Sequence, residues 1–161
     1  MFGVEDEAPE LHDDVRALPY AARARWRRSR FWLAPPDARG ALHFDLPDNL
    51  YAQIHGRKEW ALFDPRDTLR VSPHPPWSGV PNYSRADAIE PDLERFPRMR
   101  GLRRWHAVLE PGELLYVPRR WWHQARSVGV SMAMNFWWAQ GPTLAVVRAA
   151  EVVARVRGLR L

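Results

Sequence analysis

The apolar residues of this chain come in short alternating segments separated by Gly and Pro, a pattern that constrains the fold more than any other feature. In residues 49–55, NLYAQIH, every second residue from Leu50 to Ile54 is apolar. Period 2 is the repeat of a β-strand, whose successive side chains point to opposite faces. Many short strands joined by Gly and Pro turns favour a β-sandwich or barrel over a fold of alternating helices and strands. The sequence therefore predicts an all-β domain.

The spacing of these segments also predicts their connections. The tripeptide His55-Gly56-Arg57 separates residues 49–55 from residues 58–63, KEWALF, and so predicts a β-hairpin with its turn at Gly56. Residues 121–127 and 131–138 likewise read as two separate strands. These strands are expected to form the end of the β region.

A helix is predicted after the strands, over residues 142–157. Pro142 suits the first turn of a helix, and Arg148 and Glu151 fall on one of its faces. The other sides of this helix are rich in Val and Ala. That wide apolar surface must be covered by the sheet or by a second copy of the chain, so a homodimer through the C-terminal helix is one expectation.

The length of 161 residues fits one folded domain. We divide the chain into an N-terminal lead and basic segment (residues 1–30), a β domain (residues 31–141) and a C-terminal helix (residues 142–161). The absence of Cys excludes disulfides, thiolate zinc sites and cysteine nucleophiles. No apolar run approaches the roughly 20 residues of a membrane span, and the acidic start of the chain does not resemble a presequence. A cytoplasmic protein without a membrane association is therefore expected.

The basic character of the chain comes almost wholly from arginine. The formal net charge is +5, and 23 of the 24 basic residues are Arg. The Arg residues are spread along the chain and do not form a tract, so a nucleic-acid partner is less favoured than a compositional bias. Against this background Lys58 stands out, because a single lysine indicates a position that requires a compact ammonium group.

The motif His43-Phe44-Asp45 predicts part of a metal site. Residues two apart on a strand point to the same face, so the His43 imidazole and the Asp45 carboxylate can converge on one ion. His123 offers the third ligand from a distant strand. Two His and one carboxylate form the arrangement that is typical of non-heme Fe(II) oxygenases. The other histidines, His12, His55, His74 and His106, are weaker candidates.

A long Pro-rich segment separates the two halves of this motif. Residues 64–100 contain seven Pro and little periodicity. A connection of this length inside one domain is either functional or disordered. Its large apolar residues Trp77, Tyr83 and Phe96 favour an ordered lid.

Several of these stretches together resemble a known family. The strings HFD, NLYAQIHGRKEWALFDP, PDLERFP, LEPGELLYVPRRWWHQARS and MNFWW occur in the order seen in the cupin-like JmjC family, and most resemble the HIF asparaginyl hydroxylases and their bacterial relatives. The resemblance covers roughly residues 31–138. It implies a double-stranded β-helix, or jelly-roll, and an Fe(II)- and 2-oxoglutarate-dependent dioxygenase.

The resemblance also implies roles for individual residues. His43, Asp45 and His123 correspond to the catalytic metal ligands of the family. Lys58 corresponds to the lysine that pairs with the distal carboxylate of 2-oxoglutarate, and Asn49 and Asn135 correspond to two asparagines near its metal-binding end. The implied cofactors are Fe(II), 2-oxoglutarate as cosubstrate and O2. Decarboxylation to succinate would be coupled to hydroxylation, or demethylation, of a protein side chain, a peptide or a small molecule.

Two other functions stay open from the sequence. Only 42 residues precede His43, Tyr20 is the only tyrosine among them, and Gly40 replaces a hydroxyl residue often found in the family. These differences are compatible with a non-catalytic or truncated cupin-like protein that binds a metal or a partner. A tRNA-modifying hydroxylase is less favoured. The aromatic residues Trp121, Trp122, Phe136 and Trp137 are expected either to wall the site or to fill the core.

Overall fold

The computed structural model describes residues 2–3, 19 and 26–156 of the chain. Within these residues it consists of strands followed by one α-helix. The strands are β1 (Phe2–Gly3), β2 (Trp26–Ala34), β3 (His43–Phe44), β4 (Asp48–Phe63), β5 (Trp105–Leu109), β6 (Leu114–Val117) and β7 (Trp122–Ala139), and the helix is α1 (Pro142–Val156). Short 3-10 turns occur at Pro65–Asp67 and Pro97–Met99. The expected all-β class with a C-terminal helix is confirmed.

Two long antiparallel strands, β4 and β7, form the centre of the sheet. They pair from Asp48 opposite Trp138 to Phe63 opposite Trp122. The other edge of β7 pairs with β2 at one end and with β3 at the other. The other edge of β4 pairs with β6 and then with β5. Short strands therefore flank a long central pair on both sides.

The predicted hairpin at Gly56 is wrong. Residues 48–63 form one strand of 16 residues, and the residues that were expected to turn lie within it. Residues 122–127 and 131–138, predicted as parts of two separate strands, likewise belong to a single strand of 18 residues, β7. The pairing of β4 with β7 shifts register between Gln53 and Arg57, so Gly56 belongs to a β-bulge. Positive φ suits a bulge as well as a turn, and Gly56 has φ +65°.

The bulge decides which residues of β4 face the same side of the sheet. Gln53 pairs with Ala133, and Lys58 pairs with Ser127. The chain therefore moves an odd number of positions along β4 between these two pairs, but an even number along β7. Side chains alternate between faces along a strand. The bulge therefore turns Lys58, and not Arg57, to the face that carries Gln53.

The two faces of the sheet carry separate hydrophobic clusters. On the inner face, the side chains of Tyr51, Trp60, Leu62, Leu109, Val117 and Ala133 pack together. On the outer face, Ala61, Phe63 and Trp122 contact residues outside the sheet. Consecutive residues 60–63 alternate between these clusters, as the pleat of a strand requires.

The Pro-rich segment covers the outer face of the sheet. Its buried residues Val71, Ala86, Ala88, Ile89 and Met99 belong to the outer cluster. The segment is ordered, as expected, but it acts mainly as a layer of the core. Trp77 is 86% exposed and takes no part in this packing, contrary to the sequence interpretation. Tyr83 reaches the inner site, as described below.

Both ends of the described chain pack on the sheet. Residues 26–30, assigned from sequence to an irregular basic segment, extend β2 alongside β7 and cross the boundary expected at residue 31. The helix α1 buries Val147 and Ala154 and leaves Val146, Val152 and Val153 exposed. Most of residues 1–25 and the end at residues 157–161 lie outside the described part. No helix in the described part is long and apolar enough to cross a bilayer.

Candidate functional site

Three potential metal ligands meet at the end of the central strands. His43 on β3 pairs directly with His123 on β7, and Asp45 follows β3. The Asp45 carboxylate lies 3.9 Å from His43 Nε2 and 3.8 Å from His123 Nε2. One ligand atom from each of the three residues lies within 4.8 Å of the others. The structure thus brings together the three residues that the sequence singled out.

Backbone and side-chain hydrogen bonds orient all three groups. His43 Nδ1 lies 2.9 Å from the carbonyl of Ala41, and His123 Nδ1 lies 2.9 Å from the carbonyl of Trp121. A carbonyl partner keeps the proton on Nδ1 and leaves the Nε2 lone pair free toward Asp45. Trp137 donates a hydrogen bond from Nε1 to the Asp45 carboxylate at 2.9 Å. Such outer contacts fix the ring orientation and the tautomer that metal binding needs.

The cluster differs in exposure from one side to the other. His123 is buried, and burial together with the nearby His43 lowers its pKa to about 4. His43 is partly exposed and stacks on Tyr83, with ring centroids 5.3 Å apart. A buried neutral His123 and a more open His43 leave an access side to the cluster, next to Tyr83.

Lys58 lies on the inner face without an acidic partner. It is 7% exposed, and its Nζ donates a hydrogen bond to the Tyr51 hydroxyl at 2.7 Å. No carboxylate of a described residue lies within ion-pair distance of this ammonium. Burial therefore lowers the pKa of Lys58 to about 8 and raises that of Tyr51. A buried cation without a counter-ion is costly, and such a group is a good candidate for binding an anion.

The inner face also carries polar atoms that lack hydrogen-bond partners. The buried atoms Asn49 Oδ1, Gln53 Oε1, Trp60 Nε1 and Ser127 Oγ have none among the described residues. By strand alternation and register, all four side chains share the face of Lys58, and Ser127 pairs with it across the strands. Unpaired buried polar groups cost free energy unless a ligand satisfies them. Of these four atoms, Trp60 Nε1 and Ser127 Oγ can donate a hydrogen bond to an anionic ligand, whereas the amide oxygens of Asn49 and Gln53 accept from a donor.

A row of inner-face side chains connects the lysine to the metal cluster. The Tyr51 ring packs edge-on against Trp60, with centroids 4.7 Å apart, and Trp60 lies 6.0 Å from the His123 ring. Leu62 pairs with His123 and is four residues from Lys58 along β4. At about 3.3 Å per residue, roughly 13 Å of strand separates the two levels. Lys58 and His123 therefore lie at two different levels of the inner face.

The two asparagines expected near the cosubstrate are both buried on this face. Asn49 is on β4 opposite Trp137, and Asn135 is on β7 opposite Tyr51. The amide oxygen of Asn135 accepts a hydrogen bond from Trp32 Nε1 at 2.8 Å. Asn49 Oδ1 remains unpaired. Both amides therefore lie on the face that carries Lys58.

Sequence reasoning missed the contributions of Tyr51 and Ser127 to this site, and it named Trp137 only as a candidate wall residue without its hydrogen bond to Asp45. Tyr51 and Ser127 place hydroxyl groups near Lys58, whereas the sequence argument looked for such groups only before His43. Tyr51 is two residues from Asn49 and Ser127 is four residues from His123, so strand alternation could have predicted that each shares the face of that site residue. Of the four candidate wall residues, Trp122 is wholly buried in the outer cluster, and Trp137 holds Asp45.

Comparisons with known proteins agree with this architecture. The model of the cupin-like domain family matches residues 3–144. The chain belongs to this family. Its similarity extends to "HSPB1-associated protein 1" of Homo sapiens, which is 34% identical over 136 residues and matches 82% of this chain. It also extends to "Jumonji C domain-containing protein 5" of Drosophila melanogaster, at 36% identity and 66% of this chain, and to "Lysine-specific demethylase 8" of Danio rerio, at 32% and 83%.

Membership of the cupin-like family confirms the expected JmjC resemblance and the cupin fold. The matched regions make up 28%, 26% and 34% of the length of these three relatives, respectively. The chain thus spans about a quarter to a third of the curated relatives it matches.

Proposed function

We propose that this protein is an Fe(II)- and 2-oxoglutarate-dependent oxygenase that hydroxylates a C–H bond. The observation that carries the proposal is the occurrence, on one inner face, of a His-Asp-His cluster and a buried lysine that has no carboxylate partner among the described residues. The cluster fits a divalent metal, and the lysine fits the far carboxylate of a dicarboxylic acid. Either feature alone fits many proteins, whereas the pair fits a metal with a bound 2-oxo dicarboxylate.

The donor set is appropriate for iron. Two imidazole nitrogens and one carboxylate oxygen form the ligand set of non-heme Fe(II) oxygenases, which leaves positions open for other ligands. His43, Asp45 and His123 would hold the metal. When bound, Fe(II) and 2-oxoglutarate supply the oxidising chemistry, in which O2 is consumed, 2-oxoglutarate is decarboxylated to succinate and a C–H bond is hydroxylated.

The residues of the inner face would bind and orient the cosubstrate. The Lys58 ammonium would neutralise the distal carboxylate, while the hydroxyls of Tyr51 and Ser127 would donate hydrogen bonds to it. Asn49 and Asn135 would contribute neutral polar groups near the metal. Trp60 would close the side of the chamber and exclude water from the reacting centre. A preformed site of this kind reduces the cost of ordering the ligand.

The proposed substrate is a protein side chain, a peptide or a small molecule. It would reach the metal on the side of His43 and Tyr83, where the cluster is open. The name of the human relative mentions association with a protein, and the name of the zebrafish relative mentions lysine demethylation. Demethylation by this chemistry begins as hydroxylation of a carbon attached to nitrogen, so both products follow from one reaction type.

The direct test is an anaerobic titration of the Fe(II)-loaded full chain with 2-oxoglutarate. A chelated 2-oxo acid on Fe(II) produces a metal-to-ligand charge-transfer band. We expect this band to appear and to saturate with cosubstrate. Its absence in folded, iron-bound protein would contradict the oxygenase proposal and favour a binding protein without turnover.

Replacing Lys58 with Met should weaken 2-oxoglutarate binding by about 10- to 100-fold, because a charged hydrogen bond to the carboxylate is lost. Fe(II) binding should be unchanged, since Lys58 is not a metal ligand. The charge-transfer titration measures the first effect, and a chelator competition assay measures the second. Arg57→Met is the matched control, because Arg57 is exposed on the opposite face of the same strand.

The same Lys58→Met variant should be more stable than the parent without cosubstrate. The folded state lowers the pKa of Lys58 from 10.5 to about 8, so keeping the lysine charged at pH 7 costs on the order of 3 kcal/mol. Met has a similar shape and no charge to bury. Urea unfolding at pH 7 should show a gain, whereas a lysine that only supports the structure would show a loss.

Cosubstrate affinity should depend on pH through Lys58. Below about pH 8 the lysine of the free protein is charged, and binding is strongest. Above pH 8 it must take up a proton to pair with the carboxylate, so the affinity should fall by up to about tenfold for each pH unit. Titrations between pH 7 and pH 9.5 test this, and Lys58→Met should show no such fall.

A further inference from the structure

A cavity lies outside the inner face, within the Pro-rich segment. Its volume is about 530 Å³. Its lining contains three arginines and a smaller polar residue among apolar side chains. The lining residues are Leu69, Ser72, Pro73, Arg85, Arg95, Phe96, Pro97 and Arg98. The volume falls in the range of small-molecule sites, roughly 300–1,000 Å³.

Within residues 26–156, the three arginines of this cavity have no carboxylate partner. Other arginines of the described chain do form ion pairs with carboxylates. Examples are Arg39 with Glu90, Arg70 with Asp67 and Arg126 with Glu59. Arg85, Arg95 and Arg98 take part in no ion pair within residues 26–156. The guanidinium of Arg95 instead lies 5.2 Å above the Phe96 ring. The lining therefore concentrates positive charge that no described acid compensates.

The backbone around the cavity is held in place by contacts between its separate stretches. Arg85 donates a hydrogen bond from its backbone N–H to the Ser72 carbonyl at 3.0 Å, and Pro73 pairs with Ser84 in a β-bridge. The Arg70 side chain donates to the carbonyls of Arg98 and Arg100, at 3.2 Å and 2.9 Å. The backbone that carries these three exposed arginines is therefore fixed by contacts between separate stretches.

We propose that this cavity binds a small organic phosphate of nucleotide size. Guanidinium groups match phosphate oxygens by paired hydrogen bonds, and three of them suit a group with two negative charges. Leu69, Pro73 and Pro97 offer apolar contact to the organic part of the ligand. A half-open cavity of this volume fits one nucleotide-sized molecule, whereas a nucleic-acid strand would need an extended basic track.

This site is separate from the proposed oxygenase site. The cavity lies in the segment that covers the outer face, whereas Lys58 and the cluster lie on the inner face. Arg85 is two residues from Tyr83, which stacks on His43, so the two sites are neighbours through one short segment. Binding of the phosphate requires neither the metal nor 2-oxoglutarate.

The test is calorimetric titration of the metal-free full chain with AMP, ADP, adenosine and inorganic phosphate at fixed salt. We expect AMP or ADP to bind at least tenfold more tightly than adenosine or phosphate alone. The double variant Arg85→Gln/Arg98→Gln should lose roughly 30-fold or more in nucleotide affinity. The control Arg103→Gln/Arg148→Gln removes the same charge at exposed positions elsewhere and should change it less than about threefold. Lys58→Met should bind the nucleotide as the parent does.

Several outcomes would overturn the proposal. Equal losses in the two double variants would assign the binding to overall charge. If inorganic phosphate bound as tightly as AMP, the organic part of the ligand would contribute nothing to recognition. Tight binding of a single-stranded RNA 10-mer, with no binding of AMP or ADP, would assign the arginines to a nucleic-acid surface instead. Absence of binding by every probe, with the parent folded by circular dichroism, would exclude the site.

Discussion

Replacing Asp45 with Ala should lower Fe(II) affinity by more than about 100-fold and abolish cosubstrate turnover. The loss should exceed the 10- to 100-fold cost of removing an outer contact, because Asp45 supplies the only carboxylate of the cluster. Two neighbouring imidazoles would remain, without the negative charge that offsets the metal. Competition with a fluorescent chelator under anaerobic conditions measures the affinity.

The matched control for this variant is Asp48→Ala. Asp48 lies close in sequence, but its carboxylate accepts hydrogen bonds from the Tyr116 hydroxyl and the Arg119 backbone, outside the cluster. We expect its Fe(II) affinity to stay within a few-fold of the parent. Iron content in Asp45→Ala equal to that of the parent would show that the metal, if bound, is held elsewhere.

Replacing Gly56 with Ala should destabilise the protein by about 3 kcal/mol or more. Gly56 has φ +65°, a conformation that costs other residues about 1–2 kcal/mol, and an added Cβ would overlap the carbonyl oxygen of Val130 on β7. Relief of that overlap requires a backbone shift, which adds about 1–3 kcal/mol. For a chain of this size the melting temperature should fall by roughly 6–12 °C.

Gly129→Ala separates strain from steric overlap. Gly129 on β7 also has positive φ, +83°, but an added Cβ there meets open space. Its loss of stability should be limited to about 1–2 kcal/mol. Because the register shifts over residues 53–57 set the face of Lys58, Gly56→Ala should also weaken 2-oxoglutarate binding more than Gly129→Ala does. A Gly56→Ala protein as stable as Gly129→Ala would contradict this account of the bulge.

The error in the sequence interpretation arose at this same bulge. A Gly between two alternating segments fits both a hairpin turn and a bulge in one long strand. Local sequence does not distinguish the hairpin turn from the bulge, because the outcome depends on whether another strand pairs with both segments. The 18-residue β7 runs alongside β4 and pairs with both of its halves, so residues 48–63 form one strand without a turn. The choice therefore depends on residues that lie about 70 positions away.

The site residues also show which features local sequence predicts and which depend on contacts between distant residues. The spacing of His43 and Asp45, the single lysine and the resemblance to a known family identified the cluster and Lys58 in advance. Tyr51 was not identified, although it lies seven residues before Lys58. In a regular strand, two residues share a face only when an even number of positions separates them. Tyr51 and Lys58 are seven positions apart, so regular alternation would place them on opposite faces. The bulge reverses the phase and brings the hydroxyl within 2.7 Å of the ammonium.

The sequence by itself determined the all-β class, the helix after Pro142 and the residue types of the His-Asp-His cluster, because these depend on local periodicity and on ligand chemistry. Only the tertiary structure decided the register of β4 against β7, the pairing of Lys58 with Tyr51 and the packing of the Pro-rich segment on the outer face. Those features depend on contacts between distant parts of the chain, where burial and strand pairing outweigh local preference.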